Sequence, residues 1–346
     1  MRIVLLLVTM IVIAGVSFRL GQKSNFELPI PITKNQTKTV DKPLDKYTYE
    51  NFAKTKFLPA KITFGEILAE NQNFKSYLFF FEVDGSPDGE AGKKVSGLVN
   101  VPNAPGTYPV VVLLRGYVDR EIYQTGVGSQ RVGELFANNG FITLAPDFLG
   151  YGRSDNPSEN PIEERFQTYT TALTLLESVG NLNETLTLNN LATRADPEKI
   201  AIWGHSNGGQ IALTVLEVTG KKWPTVLWAP VSKPFPYSIF YFTDDFDDRG
   251  KMLRRVVADF ESDYDVELYS LTNYLDKINA PIQLHQGEAD ESVPLGWSNQ
   301  LYDELKKLER EIDYFKYPGS DHNLSGGWQL AVSRSLEFFK LREGGK

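Results

Sequence analysis

The apolar positions fall into short blocks whose period changes along the chain. Tyr108-Pro109-Val110-Val111-Val112-Leu113-Leu114 is an unbroken apolar run, as a strand covered on both faces requires. Residues 129–139 have helical spacing and residues 141–145 read as a strand. Residues 164–179 predict a helix with Phe166, Tyr169, Leu173, Leu176 and Val179 on one face. Lys199-Ile200-Ala201-Ile202-Trp203 alternates, and shortly afterwards Gln210-Ile211-Ala212-Leu213-Thr214-Val215-Leu216 has helical spacing. Further strands are predicted at 225–228, 281–284 and 312–317, and a closing helix at 328–341. Earlier, residues 75–83 and 95–101 flank a turn rich in Gly, Asp and Pro and predict an antiparallel hairpin. Strands alternating with helices in this way predict an α/β fold, a mostly parallel sheet with helices on both faces.

One stretch breaks the alternation. Residues 231–278 follow the sixth predicted strand and carry Phe235, Tyr237, Phe240, Tyr241 and Phe242, acidic residues at 244–248 and a predicted helix over 251–260. An insertion there lies over the carboxyl ends of the strands and reads as a small cap that shapes a pocket. Its aromatics read as the cap's own packing, and the acidic cluster as a solvated loop. At the other end, residues 1–20 place a short basic region before the apolar stretch 3–18 and read as a signal anchor or a signal peptide. Such a helix would span about 24 Å, short of the roughly 30 Å hydrocarbon layer, so crossing needs help from its flanks. This predicts a membrane-anchored, extracytoplasmic protein, or a secreted one if the segment is cleaved. Residues 21–59, rich in Lys, Pro, Thr and Asn and without period, read as a linker. The domain proper is then 60–346.

Composition narrows the chemistry. With 346 residues, 41% of them hydrophobic, the chain can bury a large core. A net charge of -8 offers no basic surface for nucleic acid. Without cysteine there are no disulfides, thiolate metal sites or Cys nucleophiles, and no two of the three histidines have metal-ligand spacing. No cofactor or metal is expected.

The chemistry is carried by Gly204-His205-Ser206-Asn207-Gly208, set between a strand and a helix. So tight a turn forces its central residue into a strained backbone. It tolerates this only if the flanking chain can approach without a Cβ clash, hence Gly204 and Gly208. Ser206 is therefore the candidate nucleophile, lifted off the sheet edge at a helix N-terminus that favours developing negative charge. A serine hydroxyl needs a base, and the base an orienting acid. His322, in the polar loop after the last strand, is the candidate base. His205 is read as packing against the sheet and His285 as stabilising a strand-end turn. Asp290, in a turn at a strand's carboxyl end, is the candidate acid ahead of Glu288 and Asp321. The oxyanion needs preorganised N–H donors. The backbone N–H of Asn207 is one, and the N–H or hydroxyl of Tyr117, after the strand ending at Leu114, is the other. Activity is expected to rise with pH as the histidine base loses its proton.

These residues resemble the α/β-hydrolase superfamily and, within it, the catalytic domain of the prolyl oligopeptidase family. Gly204-His205-Ser206-Asn207-Gly208-Gly209 is similar to that family's Gly-x-Ser-x-Gly-Gly, and Asp196-Pro197-Glu198-Lys199-Ile200 to its lead-in. His285-Gln286-Gly287-Glu288-Ala289-Asp290-Glu291-Ser292-Val293-Pro294 resembles its His-Gly-x-x-Asp-x-x-Val-Pro with one residue inserted. Asp147-Phe148-Leu149-Gly150-Tyr151-Gly152 resembles the superfamily's Asp-x-x-Gly-x-Gly loop, which implies a structural Asp147. The family's His-Gly-Gly oxyanion loop is here Arg115-Gly116-Tyr117, and the chain has no room for the gating β-propeller of true oligopeptidases. The resemblance implies a serine hydrolase of peptide or ester bonds. Peptidase and carboxylesterase both stay open, beside a catalytically silent surface-binding protein on the same scaffold.

Overall fold

The apolar run at residues 110–114 is buried on both sides. Val110, Val112 and Leu114 enter the larger core cluster, while Val111 and Leu113 enter a second one. Successive side chains of a strand leave opposite faces, so this alternation defines a central strand in a sheet with two covered faces.

The computed structural model describes residues 42–83, 92–243 and 246–343. A 3-10 turn at Pro43–Tyr47 leads into helix α1 (Tyr49–Lys54), then strands β1 (Thr63–Glu70), β2 (Phe74–Val83), β3 (Lys93–Pro102) and β4 (Gly106–Leu114). Helix α2 (Gln130–Asn138), strand β5 (Ile142–Pro146), helices α3 (Pro161–Glu177) and α4 (Leu182–Leu188) and strand β6 (Thr193–His205) follow. Then come α5 (Asn207–Thr219), β7 (Thr225–Trp228), α6 (Tyr237–Phe240) and α7 (Lys251–Asp263). The chain closes with β8 (Ile282–Gly287), α8 (Leu295–Lys307), β9 (Ile312–Tyr317) and α9 (Trp328–Glu343). Among the described residues nine strands form one sheet in the order β1-β2-β3-β5-β4-β6-β7-β8-β9. The first three are antiparallel to their neighbours, and every pair from β5 to β9 is parallel. Residues of α3, α5 and the cap pack on one face with the larger cluster, and residues of α2 and α9 on the other.

The mostly parallel sheet and its two helical layers are as expected, with two corrections. Strand β1 was not anticipated, because all but one of its residues are exposed and it has no apolar alternation. The cap between β7 and β8 therefore follows the seventh strand, not the sixth. The linker expected to run to Pro59 is also packed chain from Pro43 onward, with Leu44, Tyr47, Tyr49 and Phe52 buried in the main core. The expected signal or anchor helix at residues 1–20 lies outside the described residues. Among the described residues no helix is long and apolar enough to cross a membrane.

Candidate active site

Strand β6 ends at His205 and α5 begins at Asn207, so Ser206 alone makes the turn, with φ 56° and ψ -121°. For a residue with a Cβ this is a strained conformation, kept only where the surroundings over-determine it. They do so here through the backbone bonds of Ser206. The Ser206 N–H donates to Trp228 O at 2.9 Å, and its carbonyl accepts from Gly209 N and Val231 N, each at 3.0 Å. The flanking glycines are required by close approach. A Cβ on Gly208 would lie 1.9 Å from Leu114 O, and one on Gly204 would lie 2.7 Å from Gly208 O.

His322 sits in the loop between β9 and α9, on a turn shaped by Asp321. The Asp321 carboxylate accepts the N–H groups of Asn323 at 3.1 Å and Ser325 at 2.9 Å. His322 Nδ1 lies 2.9 Å from Asp290 Oδ2, in the turn after β8, and the Asp290 side chain is inaccessible to solvent. The carboxylate also accepts from Gln286 Nε2 at 2.8 Å, Ser292 N at 2.9 Å and Val293 N at 2.8 Å. Burial raises the Asp290 carboxyl, but the hydrogen bonds from His322, Val293 and Gln286 outweigh it and hold the group below its ordinary value. An ionised carboxylate only accepts, so the proton of the neutral imidazole is on Nδ1 and the Nε2 lone pair is free to act as a base. No hydrogen bond joins Ser206 Oγ to the His322 ring among the described residues. In unliganded sites such bonds commonly tighten only when substrate arrives.

The other two histidines separate cleanly. His205 Nε2 is 3.0 Å from the carbonyl oxygen of His322, and the two rings lie 4.7 Å apart. A carbonyl accepts, so His205 donates from Nε2. Burial and the neighbouring His322 lower its pKa to about 4, which keeps it neutral. It therefore braces the loop of His322 and does more than pack on the sheet. His285 is fully buried between Tyr317 Oη at 2.7 Å and Gln283 Oε1 at 2.8 Å, and burial, then Arg334, lowers its pKa to about 3. It belongs to the interior beneath α9 rather than to a turn. Of the rival acids, Glu288 is exposed, and Asp321 is engaged by its own loop.

Gly116 is pressed against the nucleophile: a Cβ there would lie 2.9 Å from Ser206 Cβ. Beneath it Arg115 is buried, its guanidinium 4.1 Å from the Tyr151 ring centre and 4.5 Å from that of Tyr123. Arg115 Nη1 donates to Gly116 O at 2.9 Å and Nη2 to Asp147 O at 2.8 Å. The Gly116–Tyr117 peptide is trans, so its C=O and N–H point in opposite directions. A carbonyl fixed by Arg115 thus turns the Tyr117 N–H away from Arg115. Among the described residues neither this N–H nor that of Asn207 has an acceptor. The Tyr117 side chain is 75% exposed, which leaves the N–H as the better-fixed donor of the two expected there. The Asp147 carboxylate, fully buried, accepts from Tyr123 Oη at 2.7 Å and Thr125 Oγ1 at 2.9 Å, a structural role. Sequence reasoning missed the part of Arg115, which had been noticed only as a departure from His-Gly-Gly.

Beside these donors lies a pocket of about 220 Å³ whose lining includes Tyr117, Asn207, Phe148 and Tyr151 and, from the cap, Phe235 and Ile239. The cap aromatics divide: Phe235 is buried, while Tyr237 and Tyr241 stay exposed beside Trp297. Of the acidic cluster, residues 244 and 245 lie outside the described residues, and Asp248 accepts Gly250 N and Met252 N, each at 2.8 Å, at the start of α7. Among the described residues no group of three His, Asp or Glu side chains is placed to hold a metal ion.

The sheet order and the serine elbow define a catalytic domain of the α/β-hydrolase superfamily, and the chain is a serine hydrolase. Residues 185–340 match the prolyl oligopeptidase family and residues 79–222 match chlorophyllase. "Uncharacterized peptidase YtmA" of Bacillus subtilis is 27% identical over 236 residues, covering 67% of this chain and 82% of that one. Among solved structures, an acetyl xylan esterase from Paenibacillus sp. R4 is similar at TM-score 0.58 and 17% identity, covering 84% of this chain and 91% of that one. A Mycobacterium tuberculosis puromycin-hydrolyzing peptidase is similar at TM-score 0.55 and 20% identity, covering 80% of this chain and 41% of that one.

Proposed function

We propose that the protein hydrolyses carboxylic esters through an acyl-enzyme on Ser206. The observation that carries this reading is the His322–Asp290 pair, closed at 2.9 Å, in the loop that His205 ties to the serine elbow. His322 Nε2 takes the Ser206 proton as Oγ attacks the ester carbonyl, and Asp290 stabilises the imidazolium that results. The N–H groups of Asn207 and Tyr117 receive the oxyanion. His322 returns its proton to the departing alkoxide, and water then releases the acid by the same steps. Each such donor is worth roughly 3–4 kcal/mol of transition-state stabilisation.

An ester is favoured over a peptide by the charges of the pocket. Its lining carboxylate, Glu164, is paired with Arg120, so among the described lining residues no free carboxylate awaits a peptide's terminal ammonium. The match to the prolyl oligopeptidase family supports peptide hydrolysis as the second reading. A fluorophosphonate probe should label the wild type and leave folded Ser206→Ala unlabelled. Short and long acyl esters set against aminoacyl-arylamides then separate the two readings. Absence of Ser206-dependent labelling would favour a silent surface-binding protein. Extracytoplasmic placement rests on the apolar stretch at residues 3–18 alone, and fractionation of the expressing cell tests it.

A further inference from the structure

The pocket beside the oxyanion donors is lined by a cation that no hydrogen bond or ion pair engages among the described residues. Arg165, on the first turns of α3, is part of that lining, near enough to Glu164 to feel its charge and, less strongly, to Tyr169, Tyr117 and Tyr151. The two carboxylates before it on the helix are engaged elsewhere. Glu163 accepts from Tyr47 Oη at 2.9 Å and pairs with Lys46 at 3.0 Å, and Glu164 pairs with Arg120. Among the described residues the Arg165 guanidinium has no hydrogen bond or ion pair. The residue is exposed overall, although burial around its head lowers its pKa from the ordinary value. An arginine keeps its charge at any physiological pH even so.

A second cation lines the same pocket. Arg115 gives two donors to the carbonyls of Gly116 and Asp147, and its buried Nε has no partner. The rest of the wall is largely aromatic or aliphatic, including Phe148, Phe166, Ile211 and Phe235. In such a setting an unpaired guanidinium is a strong recognition group for a planar anion, because its fork matches a carboxylate in two parallel bonds.

The place of the pocket decides which half of the substrate enters it. Tyr117 and Asn207, whose N–H groups receive the carbonyl oxygen, line it, whereas His322 and Asp290 do not. The leaving group must lie by His322, which protonates it, so the pocket takes the acyl part. We propose that the acyl group of the substrate carries a terminal carboxylate held by Arg165, making the protein selective for half-esters of dicarboxylic acids. The inference rests on the serine-esterase reading and adds its substrate class.

The test compares 4-nitrophenyl hemiglutarate with the 4-nitrophenyl ester of monomethyl glutarate, in the full-chain wild type and in Arg165→Gln and Arg165→Lys. The wild type should prefer the anionic ester. Arg165→Gln should lower kcat/KM for it about 10- to 100-fold while changing the neutral ester by less than about two-fold. Arg165→Lys should keep part of the preference. Equal loss on both esters, or an unchanged ratio, would overturn the inference while leaving the esterase reading intact. If neither ester turns over, protection of Ser206 from the fluorophosphonate by glutarate takes their place: protection in the wild type and not in Arg165→Gln supports the inference, and none overturns it. A wild type that the probe does not label would sink both readings.

Discussion

At the scale of single residues, the site depends on a side chain that never meets the substrate carbonyl. Arg115 fixes one peptide plane from below, and on the proposed mechanism the antiparallel N–H of that plane receives the oxyanion. In Arg115→Met, Gly116 O loses its 2.9 Å partner and the plane can turn. The expected loss is about 10²-fold in kcat with little change in KM, because the donor acts mainly on charge that develops in the transition state. Fluorophosphonate labelling should slow in parallel, since the phosphonyl oxygen uses the same hole. A rise in KM with kcat unchanged would place Arg115 in ground-state binding instead. The sequence proposed Asn207 from its place directly after Ser206 and Tyr117 from its place after the strand ending at Leu114, and both line the pocket beside the elbow. Arg115 escaped it because an arginine at a strand end normally reads as surface, and only the folded chain shows Tyr123 and Tyr151 enclosing it.

At the scale of elements, the proposed mechanism requires the end of β6 and the β9–α9 loop to keep a fixed spacing. His205 supplies that tie, as a neutral donor to the backbone of His322. His205→Phe keeps the ring contact and loses the bond. It should lower kcat about 10- to 100-fold through misplacement of the base, and His205→Gln, which restores an N–H donor, should recover part of the loss. Steady-state kinetics with a melting curve for each variant checks this, and equal kcat in all three proteins would remove His205 from the mechanism. The elements themselves were unevenly legible. Strand β4 announced itself because both its faces are covered, and α7 was anticipated at 251–260 against an observed Lys251–Asp263. Strand β1 was invisible: it lies at the sheet edge, nearly all exposed, and its pairing with β2 is broken by two register shifts. Residues 43–54 hid their four buried apolar side chains for another reason, since a 3-10 turn joined to a six-residue helix has no single period to detect.

At the scale of the whole molecule, the chain brings Asp290 onto His322 through parallel strands, and the mostly parallel character of the sheet is what the alternation of strands and helices predicted. What could not be inferred is which polar residues the layers bury. Glu217 lies on α5, 4% exposed, and neither carboxyl oxygen has a hydrogen-bond partner among the described residues. Tyr49 stands close but shares its hydroxyl with Thr214 at 2.8 Å. Burial raises the Glu217 carboxyl well above its ordinary value, and the charge of Asp276 pushes the same way against the lowering effect of Tyr49. The folded state therefore holds a proton that the unfolded chain releases. This contribution to stability is complete below the ordinary carboxylate range and is lost as pH rises toward the raised folded value. Each pH unit crossed in that window removes up to about 1.4 kcal/mol. Glu217→Gln cannot ionise and should abolish that part of the slope, so its melting temperature, compared with wild type, should gain as pH rises above the ordinary carboxylate range. Parallel melting curves across that rise in pH would mean that Glu217 is not protonated in the folded protein, and that a partner reaches it which the static packing does not provide.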